Sequence, residues 1–173
     1  MKIIILAGGK GTRISEYTKT IPKPMIKINK KPILIHIIEH YLRFGFKDFY
    51  IALGYKKEVI INFFKRFKKL NKPFTFLLKG KKIKITLVDT GKNTLTGGRL
   101  KRMKRFISSG ENFMFTYGDG VSNVNLKKLL FFHKKHKKII TVTAVRPPAR
   151  FGEIIISKNR VKTFKEKPQV QSG

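Results

Sequence analysis

Apolar residues follow two rhythms along this chain. A short unbroken run, Ile3-Ile4-Ile5-Leu6, stops at Gly8-Gly9, which predicts a buried strand over 2–6. The stretch ILIHIIEHYLR (33–43) repeats its apolar positions every three to four residues and is followed by Gly45, which predicts an amphipathic helix with a glycine stop. Runs rich in Ile, Val, Phe and Tyr at 48–53, 74–78, 83–88, 112–117 and 139–145 predict strands. The helical spacing returns at 57–69, 97–107 and 125–136, the last with Asn125 placed to cap it. Two closing runs, 153–157 and 160–164, predict a hairpin. Strands that alternate with helices imply βαβ units, so the expected fold class is α/β, with a mainly parallel sheet flanked by helices.

Composition narrows the setting. A chain of 173 residues with 41% hydrophobic content suits one domain with a true core. It has no cysteine, so disulfides and thiolate metal sites are excluded, which fits a reducing cytoplasm. The N-terminal apolar run is too short for a signal peptide. No run of about 18 apolar residues occurs, so no membrane span is expected. Charge pulls the other way: 40 Lys+Arg stand against 9 Asp+Glu, a net of +31. Such a balance points to a nucleic acid or another polyanion. The lysines are spread over nearly the whole chain, however, beside many Ile, Phe and Asn, as a compositional background would leave them.

The candidate chemistry starts at the end of the first predicted strand, in LAGGKGTR (6–13). Glycines without a Cβ let several peptide N–H groups point at one anion. Two familiar phosphate loops fit poorly. From Gly9 the spacing reads Gly-x-Gly-x-x-Ile, and no acid follows Glu16 until Glu39. The Gly-x4-Gly-Lys-Ser/Thr loop is absent. A tight turn with no ligand stays open on the glycines alone. Downstream, Pro22 and Pro24 hold their segment extended and fix the direction of Lys23.

The whole string LAGGKGTRISEYTKTIPKPM (6–25) resembles the signature of the sugar nucleotidyltransferases. LVDTGKNTLTGGRLKR (87–102), FTYGDGVSNVN (115–125), RPPARFG (146–152) and FKEKP (164–168) resemble the glucose-1-phosphate cytidylyltransferase branch of that family. The similarity runs from residue 1 to about 168. Asn123 departs from it, where an acid is expected.

The resemblance implies a Rossmann-like nucleotidyltransferase fold and transfer of a cytidylyl group from CTP to glucose 1-phosphate, giving CDP-glucose for surface polysaccharide and diphosphate. It implies Mg²⁺ as cofactor. It implies that Leu6, Ala7, Gly8, Gly9, Lys10, Gly11, Thr12 and Arg13 wrap the nucleotide. Arg13 would meet the outer phosphates and Lys23 the α-phosphate. Thr94, Arg99 and Gly118 would lie against the nucleotide, and Lys167 would hold the sugar phosphate. Asp119, in Gly-Asp-Gly after an apolar strand, would be the metal ligand; Mg²⁺ favours carboxylate and phosphate oxygens. An Asp-Gly turn is the plainer reading of the same residues. His36, His40, His133 and His136 are expected to be packing or surface residues. The family's chains run well past QVQSG, so much of the sugar-binding and oligomer-forming part is expected to lie outside this sequence, with a homo-oligomer doubtful. Two alternatives remain: a basic nucleic-acid module, suggested by KRFKKLNK (65–72) and KGKKIK (79–84), and a nucleotide-binding remnant without catalysis.

Overall fold

The computed structural model describes residues 1–9, 20–64, 69–145 and 152–165. These divide into two compact units, Met1–Lys128 and Leu129–Gly173.

The first unit is built on a five-stranded sheet. Its strands are β1 (Lys2–Ala7), β4 (Asp48–Leu53), β5 (Pro73–Leu78), β6 (Lys81–Asp89) and β7 (Phe113–Tyr117), in the order β5-β6-β4-β1-β7. All neighbours are parallel except β5, which runs antiparallel to β6. The expected mainly parallel, mixed sheet is therefore present. Two short strands, β2 (Lys27–Ile28) and β3 (Lys31–Pro32), form a small hairpin before helix α1 (Ile33–Arg43). Asn29 and Lys30 turn that hairpin with positive φ, the geometry of a two-residue turn.

Alternation along β1 sorts the core into two layers. Tyr41 of α1 meets Phe49 edge-on, and Phe49 pairs in register with Ile3 and Ile85. On that face, helix α2 (Lys57–Phe63) is followed by Phe64, which contacts Phe74 and Phe76 of β5. On the other face Ile4, Leu6, Tyr50, Ala52 and Val88 pack with Met103, and Leu100, Phe106 and Phe113 close the layer. The β1 isoleucines are essentially inaccessible, each worth roughly 1.5–3 kcal/mol of burial.

Three predicted elements differ in extent. The helix expected over 57–69 closes at Phe63, and Lys69 is not helical. The 97–107 helix becomes α3 (Thr96–Arg102) and a 3-10 turn, Lys104–Phe106. It breaks at Met103, whose side chain is fully buried in the core layer. The strand expected at 139–145 is absent; these residues are irregular, with Ile139, Val142 and Val145 more than three-quarters exposed. A strand preference is a fit to a pleated, half-buried surface, and this segment pairs with no described strand.

The segment belongs to the second unit. That unit also holds most of α4 (Leu126–His136), which Asn125 caps through the Lys128 N–H, and the hairpin of β8 (Glu153–Ser157) and β9 (Arg160–Lys165). No helix among the described residues is long and apolar enough to cross a membrane.

Candidate active site

The chain proceeds from β1 outward to β4 and β6, then returns to β7 on the other side of β1. Such a reversal opens a crevice at the carboxyl ends of the two strands. Gly8-Gly9 follow β1 at this point, and Gly118-Asp119 follow β7. The Gly118 N–H donates to the Leu6 carbonyl at 2.9 Å and locks the two strand ends together. Gly118 also lies under Pro24: a Cβ there would be 2.8 Å from the proline Cγ. So Gly118 lets the Pro-Lys-Pro segment cross close over the end of β7.

That crossing positions Lys23. A 3-10 turn, Lys23–Met25, buries Pro24 and Met25 and closes with the Met25 N–H on the Pro22 carbonyl at 2.8 Å. The Lys23 Nζ then stands 3.6 Å from an Asp119 carboxylate oxygen. Asp119 remains 43% exposed, leaving its oxygens open to a further ligand.

A cleft of about 390 Å³ lies here, lined by Leu6, Ala7, Gly8, Gly9, Lys23, Pro24, Lys92, Asn93, Thr94, Leu95, Thr96, Arg99, Tyr117 and Asp119. The structure thus brings together Leu6, Ala7, Gly8, Gly9, Lys23, Thr94, Arg99 and Asp119 from four separate stretches of sequence, with Gly118 between the lining residues Tyr117 and Asp119. Lys10, Gly11, Thr12, Arg13 and Lys167 lie outside the described residues. Lys92, Asn93, Leu95 and Tyr117 were not singled out from the sequence. The signal was their adjacency to the TGG segment and to the strand end; Leu95 and Tyr117 are apolar and yet exposed.

Arg99 is the best-anchored side chain of the cleft. It is 4% exposed. Its Nη1 donates to the Leu53 carbonyl, the Thr90 hydroxyl and the Gly91 carbonyl at 3.0, 2.7 and 2.8 Å. Its Nη2 donates to the carbonyls of Gly8 and Lys92 at 2.7 and 3.3 Å. Burial, followed by the neighbouring Arg102 charge, lowers its pKa from the ordinary arginine value. Behind it, Asp89 accepts from Lys57 at 2.6 Å and from the Gly91 N–H at 2.9 Å, and these bonds hold its carboxyl below the usual range.

The histidines make local contacts. His36 bonds the Ile28 carbonyl, His40 stacks edge-on against Phe44, and His133 and His136 both meet the Thr141 hydroxyl. No group of three or more His, Cys, Asp or Glu that could hold a metal occurs among the described residues. The donor set at Asp119 still fits Mg²⁺. One open carboxylate beside a cleft suits an ion that takes its other ligands from phosphates and water.

Comparison with known proteins gives this geometry a context. The chain is 45% identical over 179 residues to a glucose-1-phosphate cytidylyltransferase from Salmonella typhi, covering 98% of this chain and 70% of the relative. It is 40% identical over 176 residues to a probable glucose-1-phosphate cytidylyltransferase from Bacillus subtilis, covering 96% and 69%. Among solved structures it resembles HddC from Yersinia pseudotuberculosis complexed with GMP-PN, with a TM-score of 0.66 and 26% identity over 96% of this chain and 69% of that one. The nucleotidyl transferase family model matches residues 2–173, and the chain belongs to that family.

Proposed function

We propose that the cleft transfers a cytidylyl group from CTP to glucose 1-phosphate, giving CDP-glucose and diphosphate. The observation that carries the reading is the meeting of Gly8-Gly9, Lys23 and Asp119 at the point where the strand order reverses. The relatives named cytidylyltransferases support the choice of nucleotide and sugar.

The nucleophile is a phosphate oxygen of the sugar 1-phosphate, already an anion. It attacks the α-phosphorus in line with departing diphosphate, so no general base is needed. Catalysis then rests on positioning two polyanions and on stabilising charge that develops at the α-phosphate. Lys23 supplies a fixed cation for that charge. Backbone N–H groups of the glycine loop, together with Arg13, hold the outer phosphates. A Cβ on Gly9 would meet no described atom within 4 Å. Thr94 and Arg99 form the wall against the nucleoside. Asp119 would hold Mg²⁺ with phosphate oxygens, and the bound ion would neutralise triphosphate charge. Lys167 is assigned to the sugar phosphate. Nucleoside triphosphate chemistry places the work in the cytoplasm, with the product serving surface polysaccharide.

The test is release of diphosphate with CTP, Mg²⁺ and glucose 1-phosphate, omitting each in turn. Release that needs all three is the expected result. Release that is unchanged without the sugar phosphate, or no release with any sugar 1-phosphate, rejects the reading.

A further inference from the structure

Gly54 follows β4 and belongs to none of the motifs quoted above. Its backbone is not in the left-handed region, so its conformation does not call for glycine. Space does. A Cβ at Gly54 would overlap Arg99 Nη1 and stand 2.6 Å from Nη2 and 2.7 Å from Cζ. Gly8, at the end of β1, stands in the same relation: its Cβ would also overlap the guanidinium and lie 2.9 Å from Nε. Two glycines from two strand ends therefore face one buried cation.

We propose that Gly54 is a positioning residue of the cleft: with Gly8 it forms a slot that seats the Arg99 guanidinium. The seated group gathers the carbonyls of Gly8, Leu53, Gly91 and Lys92. Three chain segments that line or support the cleft are thereby held at one point. The inference rests on reading the cleft as the nucleotide site.

The consequence of filling the slot follows from what can move. β4 is hydrogen-bonded on both sides, to β1 and β6, so the strand does not yield. The tip of an arginine is flexible, and the cleft is its open side. An alanine at 54 therefore drives the guanidinium into the cleft and breaks its bonds to four carbonyls, of which those of Leu53 and Gly8 keep the Thr90 and Tyr55 N–H groups as donors. Nucleotide binding suffers more than the fold.

The experiment is a double-mutant cycle on the 173-residue chain with Gly54→Ala and Arg99→Ala. It reads the thermal midpoint, the CTP·Mg²⁺ dissociation constant by calorimetry, and KM and kcat. Arg99→Met replaces Arg99→Ala should the latter not fold. Gly54→Ala is expected to weaken CTP binding by about tenfold or more, since small misplacements at a reacting site are costly, and to raise KM more than it lowers kcat. In the Arg99 variant the same change should shift CTP affinity by less than about twofold, because interacting sites are non-additive. Equal losses in both backgrounds would mean that Gly54 does not act through Arg99, and parent-like affinity in Gly54→Ala would remove the seat altogether. If the parent chain binds no CTP, the midpoint cycle decides: non-additive midpoints keep the seat while the cytidylyl reading fails, and additive midpoints overturn the seat.

Discussion

Asp119 and Lys23 lie 96 positions apart in the chain by their numbers, yet stand 3.6 Å from each other. A lysine paired with an exposed carboxylate on a surface contributes little to stability. On the proposed function, the pair is two halves of one phosphate site. Asp119→Asn keeps the shape and removes the charge. It is expected to lower Mg²⁺-dependent turnover by about 2.7–4 kcal/mol in the transition state, with an unchanged far-ultraviolet spectrum. Near-normal turnover at saturating Mg²⁺ would end the metal role. Arg13 and Lys137 offer a matched comparison, since each change to alanine removes one positive charge. Arg13 sits in the glycine signature, where a guanidinium can make fixed paired bonds to phosphate. Lys137 follows the last turn of α4. Arg13→Ala should weaken CTP binding clearly and Lys137→Ala hardly at all. Comparable losses would mean that overall charge, and not the signature, draws the nucleotide.

At the scale of elements, the structure adds a buried carboxylate held by two solvent-accessible lysines. Glu39 on α1 is 6% exposed. Lys31 of β3 donates to both of its oxygens at 2.8 and 3.0 Å, and Lys79, in the β5–β6 turn, stands at 3.6 Å. Burial alone would raise the Glu39 pKa; the Lys31 bond and the charges of Lys31 and Lys79 outweigh it and hold the value below the ordinary one. A carboxyl depressed in the folded chain stabilises it above its unfolded pKa, and that contribution is lost as pH falls through the folded value. Lys31→Ala is expected to cost about 1–3 kcal/mol at pH 7, and the gap from the parent should narrow towards pH 3. Urea midpoints at the two pH values measure this, and a gap constant with pH would contradict it.

Elements of this kind also show what the sequence made legible. β1, α1, β4 and the β5–β6 pair were readable because their apolar period matches the surface that each one covers. The run at 139–145 has the same composition as those strands but no neighbour to pair with among the described residues, and composition does not supply one. The cleft was readable as motifs, through Gly8, Lys23, Thr94 and Asp119. The direction of Arg99 was not, because inward bonding depends on Gly8 and Gly54 coming together from separate strands.

For the whole molecule, the open quantity is its charge, +31 over 173 residues. If the lysines are a solvated background, the chain still attracts polyanions, without sequence preference and with steep dependence on salt. Affinity for a duplex falls with log salt at a slope of roughly −0.9 per phosphate neutralised, so six to ten contacts lose about 10³–10⁵ between 50 and 200 mM. A nucleotide held in a cleft by directed bonds from Lys23, Arg13 and glycine-loop N–H groups involves far fewer phosphates, and its dependence on salt is correspondingly shallow. The two readings therefore separate in one titration series. Binding of a random-sequence DNA duplex should collapse across that range, while CTP·Mg²⁺ affinity falls by about tenfold or less. A duplex that stays tightly bound at 200 mM and prefers one sequence, on a chain whose CTP affinity vanishes at that salt, would favour the nucleic-acid module over the nucleotidyl transfer site.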